Sequence, residues 1–588
     1  MKRFLLTVLG LIVIALVALY FTIGVPGLVK LGGRVLNTAR SANNPAGTIT
    51  VETREAVAAT APANAATTPA DTAGDWPSYN RNVQSQRFSA LDQITAQNVG
   101  QLKQLCVYDT GEHDAFETGP LEVNGALIGT TAFDIFSIDP STCKQNWRTH
   151  DDEETQAFLQ VNRGAAYLDG RLFRGTLDGR VLAYDFKTGK LLWATAIADA
   201  SKNESVNAAP IAANGVVYAG VVLGDFKGVR GRVDALDAAT GKILWETYLV
   251  PKQAGDPERG PQGSMPADAA ATWNNPPNVP ISGGGSWTSF TLDPDTNTLY
   301  VPVGNPSPDF VPGLRRGKNL FTDSVVALDA KTGNYIRHYQ ISDSDWHDWD
   351  VSNTPALVTT RDGKHILSFA PKDGYLYAVD ATTNALVYRS PVTRIENPDV
   401  QFSTDKVTHF CPGSVGGGEW NGVAYDPRTN LVLTGEDEWC SSVKLQSDKQ
   451  VEDAADGSNW MGNVSINPLN ALGTQDPHAD WAGWLYATDA DSGQWKWRAK
   501  TNYPILSGVT PTAGGVVFFG DMGGNFYALD AGSGKKLWSA KIAGAIGGGV
   551  ITYTANGSQK VAVAAGLINP LWPTEQDSAK IVVFGLDK

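Results

Sequence analysis

The sequence is short of positive charge: 47 Lys and Arg stand against 61 Asp and Glu over 588 residues, a formal net charge of −14. Phosphate binding needs a basic footprint, so nucleic acid and anionic lipid headgroups are set aside as partners. The chain lacks any Cys-x-x-Cys-His, so no covalently attached c-type haem is expected. Cysteine is scarce, and Cys106, Cys143, Cys411 and Cys440 fall into two sequence-local couples. In an exported chain these predict the disulfides Cys106–Cys143 and Cys411–Cys440; the alternative is four buried thiols. Charge is also missing from Phe4 to about Val25, an apolar run that follows Met1-Lys2-Arg3. Its length matches the roughly 20 residues that cross a bilayer and exceeds the apolar core of a cleaved signal. The expectation is an uncleaved anchor over residues 1–27 with everything after it outside, against which Lys30, Arg34 and Arg40 weigh. Cleavage near Ala61-Pro62-Ala63 is the other reading.

What is abundant is apolar and turn-forming. Hydrophobic residues make up 42% of the chain, with 61 Gly and 17 Trp, which excludes disorder for most of it. From about Ser41 to Gly74 the sequence is Ala, Thr, Pro and Asn with few large apolar groups, and residues 28–74 are expected to be a flexible linker. The folded part then spans 75–588. Within it one pattern recurs: a short alternating strand, an Asp, a turn with Thr/Ser-Gly, and a second strand that usually carries a Trp. The Asp positions are Asp139, Asp185, Asp237, Asp329, Asp380, Asp489 and Asp530. Where no insertion intervenes they lie about 41 to 52 residues apart, the period of a four-stranded blade. Alternation on both sides of a turn makes an antiparallel hairpin, and the Asp side chain bonds local amides. The pattern predicts an all-β, eight-bladed β-propeller with four-stranded antiparallel blades and tryptophans wedged between them. The eighth blade is expected to combine 549–566 and 581–585 with a strand near 75–88, so that first and last strands close the ring.

The repeat at Ala183 to Trp193, with the openings Asp75 to Asn82 and Arg87 to Ile94, resembles the pyrroloquinoline quinone (PQQ)-dependent alcohol dehydrogenases over about residues 75 to 588. The resemblance implies PQQ-dependent oxidation of an alcohol in the periplasm. It assigns Arg163, in Val161-Asn-Arg-Gly164, to the cofactor's carboxylates, a task that suits a bidentate guanidinium. Gly283-Gly-Gly-Ser-Trp287 resembles the glycine turn and tryptophan on which the flat cofactor stacks. Asn305 matches an amide ligand of a metal ion, and neutral amide oxygens suit Ca²⁺. Asp350, after Trp349, takes the position of the catalytic aspartate, which accepts the alcohol proton and can touch the metal. Asp343, Asp345 and Asp348 nearby are expected to be solvated. Lys372 matches a cation set against the quinone oxygens, and Glu419 and Trp420, after Gly416-Gly-Gly418, face cofactor or substrate.

The sequence departs from the family at three places. Its best-known members carry two adjacent cysteines before the arginine, where this chain has Ala157-Phe158, so Phe158 is expected to cover the cofactor. A metal-binding glutamate is replaced by Phe226; Asp225 beside it is a substitute ligand, but the Ca²⁺ site loses an acidic group. Ser352 stands where the lanthanide-dependent branch has an aspartate, which argues against a lanthanide. With no haem built in, electrons are expected to pass to a separate acceptor such as a cytochrome or a membrane quinone; an acidic surface suits a basic cytochrome. Phe158, Phe310, Trp346 and Trp420 as pocket aromatics imply a bulky or partly apolar alcohol. Insertions around 250–280 and 444–480 are placed to form a lid or an open groove, the latter fitting a polymeric substrate. The alternative from another class is a non-enzymatic scaffold propeller of envelope assembly, which shares such repeats.

Overall fold

Each repeat folds as the outer half of a blade, because period-two alternation buries one face of both strands against the next sheet while the Asp closes the turn between them. In the second blade, Ala166–Leu168, Arg171–Gly175, Arg180–Asp185 and Leu191–Ala196 form a meander in chain order, and Asp185 Oδ1 accepts bonds from Thr188 N (2.9 Å) and Oγ1 (2.7 Å). The computed structural model, which describes residues 47–60, 76–153, 159–222, 224–465, 470–572 and 574–586, contains eight such antiparallel sheets.

The tryptophans lock neighbouring blades together. Indole N–H groups of Trp147, Trp193, Trp245 and Trp497 donate to the carbonyls of Phe186, Ala238, Ala330 and Ala531, at 3.0 to 3.2 Å. Each acceptor is the residue after the repeat Asp of the following blade. Arg337 plays the same part toward Ala381, whereas Trp538 packs edge-on against Phe526 and Phe584. Between blades lie fully buried clusters such as Leu433, Leu485, Trp497, Phe519 and Tyr527, each side chain contributing about 1.5–3 kcal/mol by leaving water.

Ring closure differs from the expectation in one strand. Val550–Ala555, Ser558–Ala565 and Lys580–Leu586 are completed by Leu102–Asp109, with Val107 opposite Val582, and not by residues near 75–88. The earlier segment cannot be a strand, since Arg81, Ser85 and Arg87 take φ values of 75°, 60° and 56°. It runs along the first strands of the blades instead: carbonyls of Pro77, Val83, Gln84 and Gln86 accept from Tyr167, Leu292, Leu357 and Tyr425 on the first strands of four blades.

The linker expected over 28–74 is also corrected where it is described. Ile49–Thr53 adds a fifth strand to the blade of Trp495–Thr501, because Ile49 and Val51 pack on that blade's core and Glu52 and Glu55 pair with Arg498 and Lys496, both at 2.7 Å. Residues 1–46 and 61–75, with the expected membrane helix, lie outside the described residues. Both disulfides form as paired from the sequence. The two insertions meet through Val279, Val311, Val451 and Trp460, the second carrying a short helix, Asp448–Glu452, capped by Ser447.

Candidate active site

In a four-stranded meander the segment entering the first strand and the loop leaving the second lie at the same end of the blade. Arg163, Trp287, Asp350, Glu419 and Trp420 precede first strands, while Asp225, Asn305 and Lys372 follow second strands. Topology therefore delivers all eight to one end of the ring, where they line a cavity of about 680 Å³. The insertion after Val443 lines it with Gln446, Asn459, Met461 and Asn463, at the place where a lid or an open groove was expected from 444–480, whereas residues 250–280 do not reach the lining.

Arg163 is buried, its backbone tied to Asn207 and Gly119. Its guanidinium donates to Trp287 O (3.1 Å), pairs with Glu117 (2.8 Å) and lies 4.8 Å and 5.5 Å from the ring centres of Trp287 and Trp420. Burial pushes the Glu117 carboxyl up to about 7 although Arg163 opposes it. Arg163 Nε, Ser205 Oγ and Asn207 Oδ1 are buried with no hydrogen-bond partner among the described residues, and these residues line the cavity. Trp287 is held by glycines: a Cβ on Gly231 would lie 1.6 Å from Gly284 O, so the two segments approach only without side chains. Trp420 donates its indole N–H to Gly547 O at 2.7 Å, and Trp572 meets it edge-on.

The second cation in the lining is Lys372, whose Nζ lies 2.6 Å from Asp350 Oδ2, 3.2 Å from Asp348 Oδ2 and 5.5 Å from the Trp287 ring centre. Burial disfavours its charge, yet Asp348, Asp350 and Glu419 together hold its pKa well above the usual value. Asp350 Oδ1 accepts the Asn305 backbone N–H at 2.9 Å. Burial raises Glu419 to about 8 against the pull of Lys372, and burial with the Asp350 charge raises Asp225 to about 6. Asn305 turns its amide to Asp225, and Phe226 lines the cavity beside it.

Two expectations are corrected. Asp345 and Asp348 are not solvated, at 0% and 2% exposure, and only Asp343 lies in water. Asp345 Oδ2 accepts the backbone N–H groups of His347 (3.0 Å) and Trp349 (3.1 Å), which closes the turn that presents Asp350. Phe310 and Trp346 do not reach the cavity; they pack with Trp349, Phe402 and Phe410 behind it. Phe158 lies outside the described residues. Sequence reasoning missed Glu117, Ser205, Asn207, Asn569 and Trp572 in the lining. Glu117, Ser205 and Asn207 precede first strands, as Arg163 does, so position within the repeat was the signal available.

Residues 76–402 match the family model of the glucose/ethanol/alcohol dehydrogenase beta-propeller domain, and 482–581 match that of the outer membrane protein assembly factor BamB. The dehydrogenase subunit of an alcohol dehydrogenase (quinone) from Gluconobacter oxydans is 33% identical over 84% of this chain and 70% of its own length. A quinohemoprotein alcohol dehydrogenase of Pseudomonas putida is 32% identical over 84% and 72%. Among solved structures, a quinohemoprotein alcohol dehydrogenase of Pseudomonas putida superposes with a TM-score of 0.79 at 29% identity, covering 87% of this chain and 80% of that one. A europium-containing methanol dehydrogenase does so at 0.77 and 26%, covering 87% and 98%.

Proposed function

This chain belongs to the PQQ-dependent alcohol dehydrogenases, and on that premise we propose that its cavity holds PQQ between Arg163 and Lys372, with Asp350 as the general base. The protein is an oxidoreductase that converts an alcohol to the aldehyde or ketone, and the enzymatic reading displaces the scaffold alternative.

The residues fit the group. A flat, tricarboxylate quinone needs cations at its rim, an apolar face and hydrogen-bond donors. The cavity offers Arg163 and Lys372, the Trp287 indole, and the unpartnered Arg163 Nε and Ser205 Oγ. When bound, PQQ supplies the two-electron acceptor for the hydride of the alcohol carbon. Asp350 is held by Lys372 and the Asn305 N–H, and its two oxygens keep lone pairs, since a carboxylate accepts about four bonds. One of these takes the hydroxyl proton, and Lys372 holds positive charge where negative charge develops. Glu117 orients Arg163, and the 444–480 lid with Trp420 and Trp572 keeps water from the site.

Further parts of the reading are proposals of the same kind. The cation that the sequence placed among Asn305, Asp350 and Asp225 would, as a hard ion such as Ca²⁺ at this end of the cavity, add positive charge beside the quinone and the alcohol oxygen. Electrons leave to a separate acceptor, a cytochrome or a membrane quinone, because this sequence lacks the Cys-x-x-Cys-His of an attached haem. The anchor over 1–27 would hold the propeller on the periplasmic side of the inner membrane.

The observation that carries the proposal is the convergence of Arg163, Trp287, Lys372 and Asp350 on one cavity. The test adds PQQ to the purified protein and follows its absorption and dye-linked oxidation of an alcohol panel, with Asp350→Ala alongside. Cofactor uptake with turnover that the substitution abolishes supports the assignment; undiminished turnover in Asp350→Ala removes it.

A further inference from the structure

The carboxylates in and beside the cavity are arranged differently from the metal ligands that the sequence suggested. Both oxygens of Asp350 already have partners, the Lys372 ammonium on one and the neutral Asn305 N–H on the other. Three other carboxylates, those of Asp225, Asp309 and Asp348, bring ligand oxygens within 4.8 Å of one another. Asp309 was not singled out by any motif. It is fully buried; Oδ1 accepts from Ser307 Oγ at 2.7 Å, and Oδ2 has no hydrogen-bond partner among the described residues.

The nearest guanidinium does not answer that carboxylate. Arg315 donates instead to the backbone carbonyls of Pro308, Asp309 and Asp345 and to Asn319 Oδ1. Lys372 reaches Asp348 at 3.2 Å, and Asp225 is met by the neutral Asn305 amide. A buried carboxylate with an open oxygen is costly unless a cation joins it. Oxygens this close can share one ion, since two ligands each about 2.4 Å from a Ca²⁺ lie at most about 4.8 Å apart.

We propose that Asp225, Asp309 and Asp348 together hold one hard, oxygen-seeking cation, a ligand set moved away from Asp350 in a chain that has Phe226 where relatives place a glutamate. The site rests on the cofactor reading only for its purpose, as the cation's charge would stand beside Asp350 and the bound quinone. Its ligands are otherwise defined without the cofactor. Asp350 is thereby left to Lys372 and to the alcohol.

The test uses chelator-treated full-length protein without PQQ. Ca²⁺ is titrated by calorimetry, and Tb³⁺ by its luminescence under tryptophan excitation, for the wild type, Asp309→Asn, Asp348→Asn and Asp350→Asn. One bound ion is expected, weakened tenfold or more by Asp309→Asn or Asp348→Asn and less than about threefold by Asp350→Asn. Circular dichroism confirms folding of each variant, and either of the first two suffices if the other fails to fold. Binding of Tb³⁺ alone with the same pattern assigns the site to a trivalent ion. No binding of either ion to the wild type overturns the proposal, as does binding indifferent to both Asp309 and Asp348. PQQ absorption is titrated separately, so loss of the metal site leaves the cofactor reading standing and the converse also holds.

Discussion

Asp185 and Asp348 are the same residue type at opposite ends of the ring, and the chain treats them in opposite ways. At the end that carries the repeat turns, Asp139, Asp185, Asp237, Asp329, Asp380, Asp489 and Asp530 each receive bonds from the Thr or Ser three positions on. Thr188 and Thr240 hold Asp185 and Asp237 below the usual carboxylate range. At the other end Asp309 and Asp348 are pushed well above it, chiefly by burial, and Glu419 rises to about 8. The difference teaches where stability is made and where it is spent. Repeat turns satisfy their acids locally, whereas the cavity gathers acids from four blades and leaves them for a ligand to answer.

The sharpest way to break this contrast is to move a substitution from one end to the other. Asp350→Ala should lower alcohol turnover by roughly 10²–10⁴-fold, with the PQQ absorption of the loaded protein retained. Next in size, Arg163→Ala leaves Glu117 buried without its partner and should weaken PQQ binding by about 2–5 kcal/mol, read by absorption titration. Unchanged affinity would show that this end is as self-sufficient as the turns.

Glu419 sharpens the contrast through pH. Its folded pKa of about 8 lies above the ordinary 4.5, so between those values the folded state keeps a proton that the unfolded state has released. Stability contributed on the acid side is therefore lost as pH rises through this window, at up to about 1.4 kcal/mol per unit. Glu419→Gln, which does not titrate, should show a smaller fall in melting temperature from pH 5 to pH 8 than the wild type. Smallest of all, Asp185→Ala should cost about 1–2 kcal/mol in denaturant unfolding and leave turnover per folded molecule unchanged. A loss of turnover there would erase the division between the two ends.

The repeat turns were legible because everything they need is local: Asp, Thr and Gly within a few positions and a Trp at the end of the next strand. The candidate site was legible as motifs, and the ring brings those motifs together. What escaped the sequence depends on distant partners. Leu102–Asp109 reads as an ordinary strand, and only its match to Lys580–Leu586 makes it the closing one. Residues 76–89 hold no alternation because they serve six blades in turn. Ile49–Thr53 sits in a polar, proline-containing stretch, and its strand exists because a blade edge is there to receive it. Asp345 and Asp348 look solvent-bound among Ser, Asp and His, but they are folded inward, where Asp348 meets Lys372 of a distant loop and Arg315 reaches the Asp345 carbonyl.

The pairing of Leu102–Asp109 with Lys580–Leu586 also sets a calendar for the molecule. The cavity wall runs from Glu117 to Trp572, and the strand that shuts the ring is made after all of it. A nascent chain can finish each hairpin soon after its turn is synthesised, but the ring around the cavity stays open until Lys580–Leu586 has been made. A cofactor that needs the whole wall is therefore expected to be taken up only after Lys580–Leu586 has paired with Leu102–Asp109.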